Sequence, residues 1–157
     1  MTTRITPFLW FSDQAEQAAK HYTSIFPNSR IVSVARYGEA GPGPKGSVMT
    51  VAFELDGQPF TALNGGPHFT FSPAVSFVVH CRSQQEVDTY WERLSSGGET
   101  QPCGWLKDKY GLSWQIIPTV LTELLTDKDQ AKARRVMEAM MQMGKIDIQA
   151  LKDAAAH

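Results

Sequence analysis

The chain has 157 residues, 42% hydrophobic and 20% charged, enough for one compact domain or two half-domains with a core large enough to enclose a ligand. Fifteen Lys and Arg against sixteen Asp and Glu leave a net charge of −1, so neither nucleic acid nor a membrane surface is expected as a partner. No apolar run resembles a signal peptide or a membrane span, and two cysteines do not make a disulfide scaffold; reduced thiols and a cytoplasmic location are expected.

Residues 4–11, "RITPFLWF", predict a strand with Pro7 near its start. Asp13 is the expected N-cap of a helix over 13–26, with Glu16 three positions on and Ala15, Ala18, Ala19, Tyr22 and Ile25 at helical spacing. Three strands follow in "RIVSVARY", "SVMTVAFEL" and "QPFTALN", the last two joined by Asp56-Gly57, a pair suited to a two-residue hairpin turn. The intervening "GEAGPGPKG" is read as a mobile connection. Pro42 and Pro44 have no N–H to offer a phosphate, and a strand rather than a helix comes next. No G-x-G-x-x-G opens a helix anywhere, so a dinucleotide or adenosyl-cofactor fold is not expected.

The second half repeats the order. "PAVSFVVHC" predicts a strand, and Ser83 with Glu86 caps a helix over 83–96 with Val87, Tyr90, Trp91 and Leu94 on one stripe. Three short strands, "ETQPC", "GWLK" and "LSWQIIP", follow, with Asp108 to Gly111 as a hairpin turn. The pattern βαβββ thus occurs twice, which implies an α+β fold of two modules. Beyond Pro118 the pattern is helical: "TVLTELLT", then a helix capped by Asp127 with Val136, Met137, Met140 and Met141, then one capped by Asp147. The expected domains are 1–68, 69–118 and a helical extension over 119–157. The broad methionine face points to a homodimer, unless those helices fold back over their own sheet.

"ITPFLWFSDQAEQAAKHYTSIFP", "TALNGGPHFTF", "SFVVHCRSQQEVDTYWERLSSGGE" and "CGWLKDKYGLSWQIIP" resemble the vicinal oxygen chelate superfamily, which includes glyoxalase I and extradiol dioxygenases. They are closest to its PhnB-like branch, also called 3-demethylubiquinone-9 3-methyltransferase-like, and the tail "RVMEAMMQMGKIDIQALKDA" is similar to that branch too. The resemblance implies curved mixed sheets that form a cup between two modules, with metal ligands from the first and last strand of each. Carried onto this chain, those positions are Thr6, Ala62 or Asn64, Ser76 and Gln115. None is His, Asp or Glu, so no metal and no cofactor are expected.

The ligand-pocket candidates are Phe8, Trp10, Asn64, Ser76, His80, Cys103, Trp105 and Gln115. Trp10 and Trp105 could stack on a planar ligand or fill the cup, and Gln115 could meet a ligand or make a structural hydrogen bond. If Gln115 faces the cup, Trp114 packs beneath the helices. A lone Cys103 is more often a small buried hydrophobe than a nucleophile, and His68 lies in a loop that could act as a lid. The reading these residues favour is a protein holding a small aromatic or amphipathic molecule without a metal, its reaction unspecified. The alternatives are a metal-dependent lyase or dioxygenase using His80 or His68, a methyltransferase as the family label suggests, and a structural protein with a filled cup.

Overall fold

The computed structural model describes residues 3–157, and the βαβββ order occurs in it twice. In the first unit β1 (Phe8–Phe11) leads to α1 (Ala15–Ile25), β2 (Arg30–Arg36), β3 (Val48–Leu55) and β4 (Gln58–Asn64). In the second, β5 (Ser76–Cys81) leads to α2 (Gln84–Ser95), β6 (Glu99–Thr100), β7 (Trp105–Lys107) and β8 (Ser113–Pro118). The sheets run β1-β4-β3-β2 and β5-β8-β7-β6. In each, the first strand lies parallel to the last and the other neighbours are antiparallel. The fold is α+β with two four-stranded mixed sheets, as the sequence pattern implies.

Strand alternation gives each sheet one face for its helix. Leu9, Phe11, Val51, Phe53, Phe60 and Ala62 are buried on the side where Ala15, Ala18, Ala19 and Tyr22 of α1 are also buried. The alanines let the helix approach closely, and each large apolar side chain so buried contributes about 1.5–3 kcal/mol. In the second unit Cys81, Leu106, Trp114 and Ile116 fill the same role with Val87 and Leu94 of α2. Trp114 therefore lies on the helix side and Gln115 on the other.

Local signals hold where the interaction is local. The Ser83 hydroxyl accepts from Glu86 N–H, and Asp147 accepts from Ala150 N–H, so both cap their helices. Asp56 and Gly57 have φ of 48° and 82°, the positive pair that a tight hairpin requires. Asp108 accepts from the N–H groups of Tyr110 and Leu112 and from the Trp114 indole, which fixes the turn closed by Gly111.

Five expectations need correction. The first strand begins at Phe8, leaving Thr6 outside it, and the Pro7 carbonyl accepts from Thr61 at the start of the ladder. Asp13 does not cap α1; the Asn64 amide from β4 does. Asp129 caps α4 (Gln130–Met141) in place of Asp127, whose own carboxylate accepts from Asp129 N–H. The glycine-rich loop is folded onto Tyr37, with Gly43 so close that a Cβ there would lie 2.3 Å from the ring. The "ETQPC" strand shrinks to Glu99–Thr100 because Pro102 opens a 3₁₀ turn over Pro102–Gly104.

The C-terminal helices are α3 (Thr119–Leu125), α4 and α5 (Ile148–Ala156). Leu121, Val136, Ile146 and Leu151 form their core, with Ile117 of β8, Met140 and Met143 packed against it. The extension is fastened to the second module at several points. Gln84 donates to Ile146 O and accepts from Ile148 N–H, the N–H groups of Cys103 and Gly104 donate to Met143 O and Gly144 O, and Lys145 pairs with Asp88 at 3.0 Å. By packing, the chain forms two compact units, one up to Phe71 and one from Ser72 that includes this extension. Residues 1 and 2 of the expected first domain lie outside the described residues. No helix among the described residues is long and apolar enough to cross a membrane.

Candidate ligand-binding face

The face of the second sheet turned away from α2 is ordered in rows by the strand register. Lys107 pairs with Ser113, which pairs with Ser76; one step on, Trp105 pairs with Gln115, which pairs with Val78. A third row holds His80 and Ile117. Ile117 packs into the core of the C-terminal extension, so that end of the face is walled off. Gln115 donates to the Ser76 hydroxyl at 2.9 Å, which leaves the Gln115 carbonyl and the Ser76 proton available. The Ser113 hydroxyl is fully buried and has no hydrogen-bond partner among the described residues. Lys107 and Trp105 are half-buried, and His80 is exposed.

In the first unit Phe8 and Trp10 share the face away from α1, Phe8 being 59% exposed. The Trp10 indole is tied down: it donates to Gly66 O at 2.9 Å and meets Phe69 edge-on at 4.9 Å. Gly65 is needed there, since a Cβ would stand 2.4 Å from the indole ring. Asn64 pairs with Phe11 and so lies on the helix side, away from Trp10. Both arms of its amide are occupied, Oδ1 accepting from Ala15 N–H at 2.8 Å and Nδ2 donating to Val48 O at 3.1 Å. Ala62 is fully buried.

A cleft of about 640 Å³ opens in the first unit between the start of α1, the 42–48 segment and the 64–68 loop, with His68, Asp13 and Glu16 in its wall. Its deeper polar groups are already bonded, the Tyr37 hydroxyl to Asn64 O and the Asn64 amide as above. The cleft thus offers space whose deeper polar groups are satisfied, whereas the outer face of the second sheet carries a buried hydroxyl with unmet capacity, and such orphaned groups cost free energy that a ligand or water recovers.

Burial, aided by the nearby Glu86, pushes the Cys81 thiol up to about 12, so it stays protonated and unreactive at neutral pH. Cys103 is half-buried in the 3₁₀ turn with φ 63°, its N–H committed to Met143 O. No group of three His, Cys, Asp or Glu among the described residues is placed to hold a metal ion. The structure thus brings Ser76, His80, Trp105 and Gln115 onto one face and adds Lys107 and Ser113, which sequence reading passed over. Both lie two residues from a candidate, Lys107 after Trp105 and Ser113 before Gln115. Period-two alternation could have found them.

Two βαβββ units, each with its first strand parallel to its last, define a member of the vicinal oxygen chelate superfamily. Within it the chain belongs to the 3-demethylubiquinone-9 3-methyltransferase family, whose sequence model matches residues 3–117. A PhnB protein from Bacillus cereus is 41% identical over 74% of this chain and 99% of that one, with a TM-score of 0.68. A Pseudomonas aeruginosa protein (18% identity, TM-score 0.62, 74% and 98% of the two chains) shares the fold. So does the fosfomycin resistance protein FosX from Mesorhizobium loti (15%, 0.55, 81% and 99%). No curated protein sequence matches. The family match ends before α3, so the expected likeness of the tail lies outside it.

Proposed function

We propose that the chain binds a small, planar organic molecule on the face of the second sheet turned away from α2, and that it does so without a divalent ion. The observation that carries this reading is the buried Ser113 hydroxyl, without a partner among the described residues, with a half-buried lysine in its own row and a half-buried indole in the next. A buried hydroxyl left unpaired costs about 1–3 kcal/mol, which a ligand oxygen would recover. The positions that the resemblance assigns to metal ligands are here Thr6, Ala62 or Asn64, Ser76 and Gln115, and Ala62 has no donor to offer. Asn64 is spent on α1, and Ser76 and Gln115 bond each other. Such neutral donors do not repay the hydration a divalent ion gives up.

Methyl transfer, the chemistry in the family's name, would need an adenosyl donor. The glycine-rich loop that might cradle one is folded on Tyr37 and leads into β3, not into a helix. The metal-dependent alternative would have to use His80 from the third row or His68 from the cleft of the first unit. Two measurements separate the readings. Titrating 2-naphthoate and its neutral amide into ¹⁵N-labelled protein should shift the Trp105 indole N–H and leave Trp10 and Trp114 in place. Dialysis against manganese, zinc or nickel should leave sub-stoichiometric metal; stoichiometric metal, or probes that move Trp10 alone, would overturn the proposal.

The exposed side of α4 supports a homodimer as part of the same reading. Met140 and Met143 are used in the extension's own core, whereas Met137 and Met141, one turn apart, are 40% and 60% exposed. Both cysteines are free, which suits a cytoplasmic protein.

A further inference from the structure

We infer that the ligand of this face is an acid, a planar aromatic carboxylate whose charged end lies on the Lys107–Ser113–Ser76 row and whose ring lies on the Trp105–Gln115 row. The inference rests on the proposal that the face binds a small molecule at all. The first row presents donors and no free acceptor of charge: the Lys107 ammonium has no ion pair among the described residues, and the Ser113 hydroxyl has no partner. The Ser76 oxygen accepts from Gln115, and its own proton remains to be donated. Three donors side by side, one of them charged, match the two oxygens of a carboxylate, where hydrogen bonds are charge-assisted and short.

The second row has the opposite character. The Trp105 indole has no ring partner among the described residues, and Gln115 beside it keeps its carbonyl free for a hydroxyl or amine on the ring. Alternate residues of a strand stand about 6.5 Å apart, the span from a carboxylate to the body of a fused aromatic ring. Glu99, exposed and paired in register with Lys107 at the sheet edge, makes no ion pair with it. Its charge opposes the acid weakly, through solvent.

The test uses 2-naphthoate and 2-naphthamide, which differ in charge and little else, titrated against the full chain with the Trp105 indole as reporter. The acid should bind about tenfold more tightly than the amide, the value of one partly exposed charged hydrogen bond. Lys107→Met should bring the two probes to parity by weakening the acid alone, and Glu99→Gln should widen the gap. If acid and amide bind equally to the native chain, the face binds small molecules and the assignment of an acid is wrong. If the acid keeps its advantage in Lys107→Met, the lysine's role is refuted. If neither probe moves Trp105, the face is not a binding site and both readings fall together.

Discussion

Replacing Asn64 by alanine should loosen the first module more than any surface position of its size. Two hydrogen bonds vanish at once, from Ala15 N–H and to Val48 O, and Ala15 is fully buried, so water cannot replace the lost acceptor. Loss of a helix cap costs about 0.5–2 kcal/mol, and a stranded buried group about 1–3 kcal/mol. These overlap at Ala15, so a total of about 2–3 kcal/mol follows. In a chain of this length that is a fall in Tm of roughly 4–12 °C. Equilibrium urea unfolding, followed by circular dichroism, reads it directly. Asn64→Asp should fall between: it keeps the acceptor, adds a charge that the helix N-terminus favours, and sets an oxygen against Val48 O. A loss under about 0.5 kcal/mol in the alanine variant, the scale of an ordinary surface change, would refute the cap assignment.

Four further outcomes are expected. Asp108→Ala should cost about 2–4 kcal/mol in the same unfolding assay, because it strands two N–H groups and the Trp114 indole in a buried turn; near-native stability would contradict that wiring. Gly98→Ala places a Cβ 2.1 Å from Lys107 O and should destabilise by about 1–3 kcal/mol, whereas Gly144, with nothing within 4 Å, should accept alanine with little change. The Cys81 thiol is held protonated in the folded state, from its usual 9.0 up to about 12, so the stability it confers is complete below pH 9 and drains away between 9 and 12. Cys81→Ala should flatten that alkaline slope in unfolding titrations. Finally, sedimentation at micromolar concentration should show a dimer that Met137→Lys with Met141→Lys turns into a soluble monomer; a native monomer would rule the interface out.

What could be read from the letters depended on how far apart the interacting groups lie. Ser83 and Glu86 are three residues apart, so the start of α2 was plain from spacing alone. Asp13 offered the same local signal for α1, yet Asn64, 49 residues away from Ala15, took the position. A tertiary partner of that kind leaves no mark in periodicity. The alternation in "LSWQIIP" set Trp114 and Gln115 on opposite faces, because strand geometry fixes that whatever the neighbours are, but which of them met the helix was settled only by the packing of α2. The pairing of Gln115 with Ser76 and of Lys107 with Ser113 depends on register across three strands. Register is set by the whole sheet, so alternation can assign each of these residues to a face, but the row they share emerged only with the structure. Asn64 drew attention through the resemblance, as an end position of the first module's last strand, but its amide serves the scaffold.

Cys103 and Gly104 grip Met143 and Gly144 through two backbone hydrogen bonds of 2.8 Å, and the very next residue is Trp105, where β7 begins. The extension and the indole are thus adjacent links of one chain of restraint. If α4 and α5 open, the 3₁₀ turn loses its anchor and the aromatic floor of the face loses its fixed position with it. The amides of Cys103 and Gly104 should then exchange with solvent at the rate of the C-terminal helices and not at that of the sheet. Trp105 fluorescence should report the same event, which would make the tail a tunable setting on how firmly the face is presented.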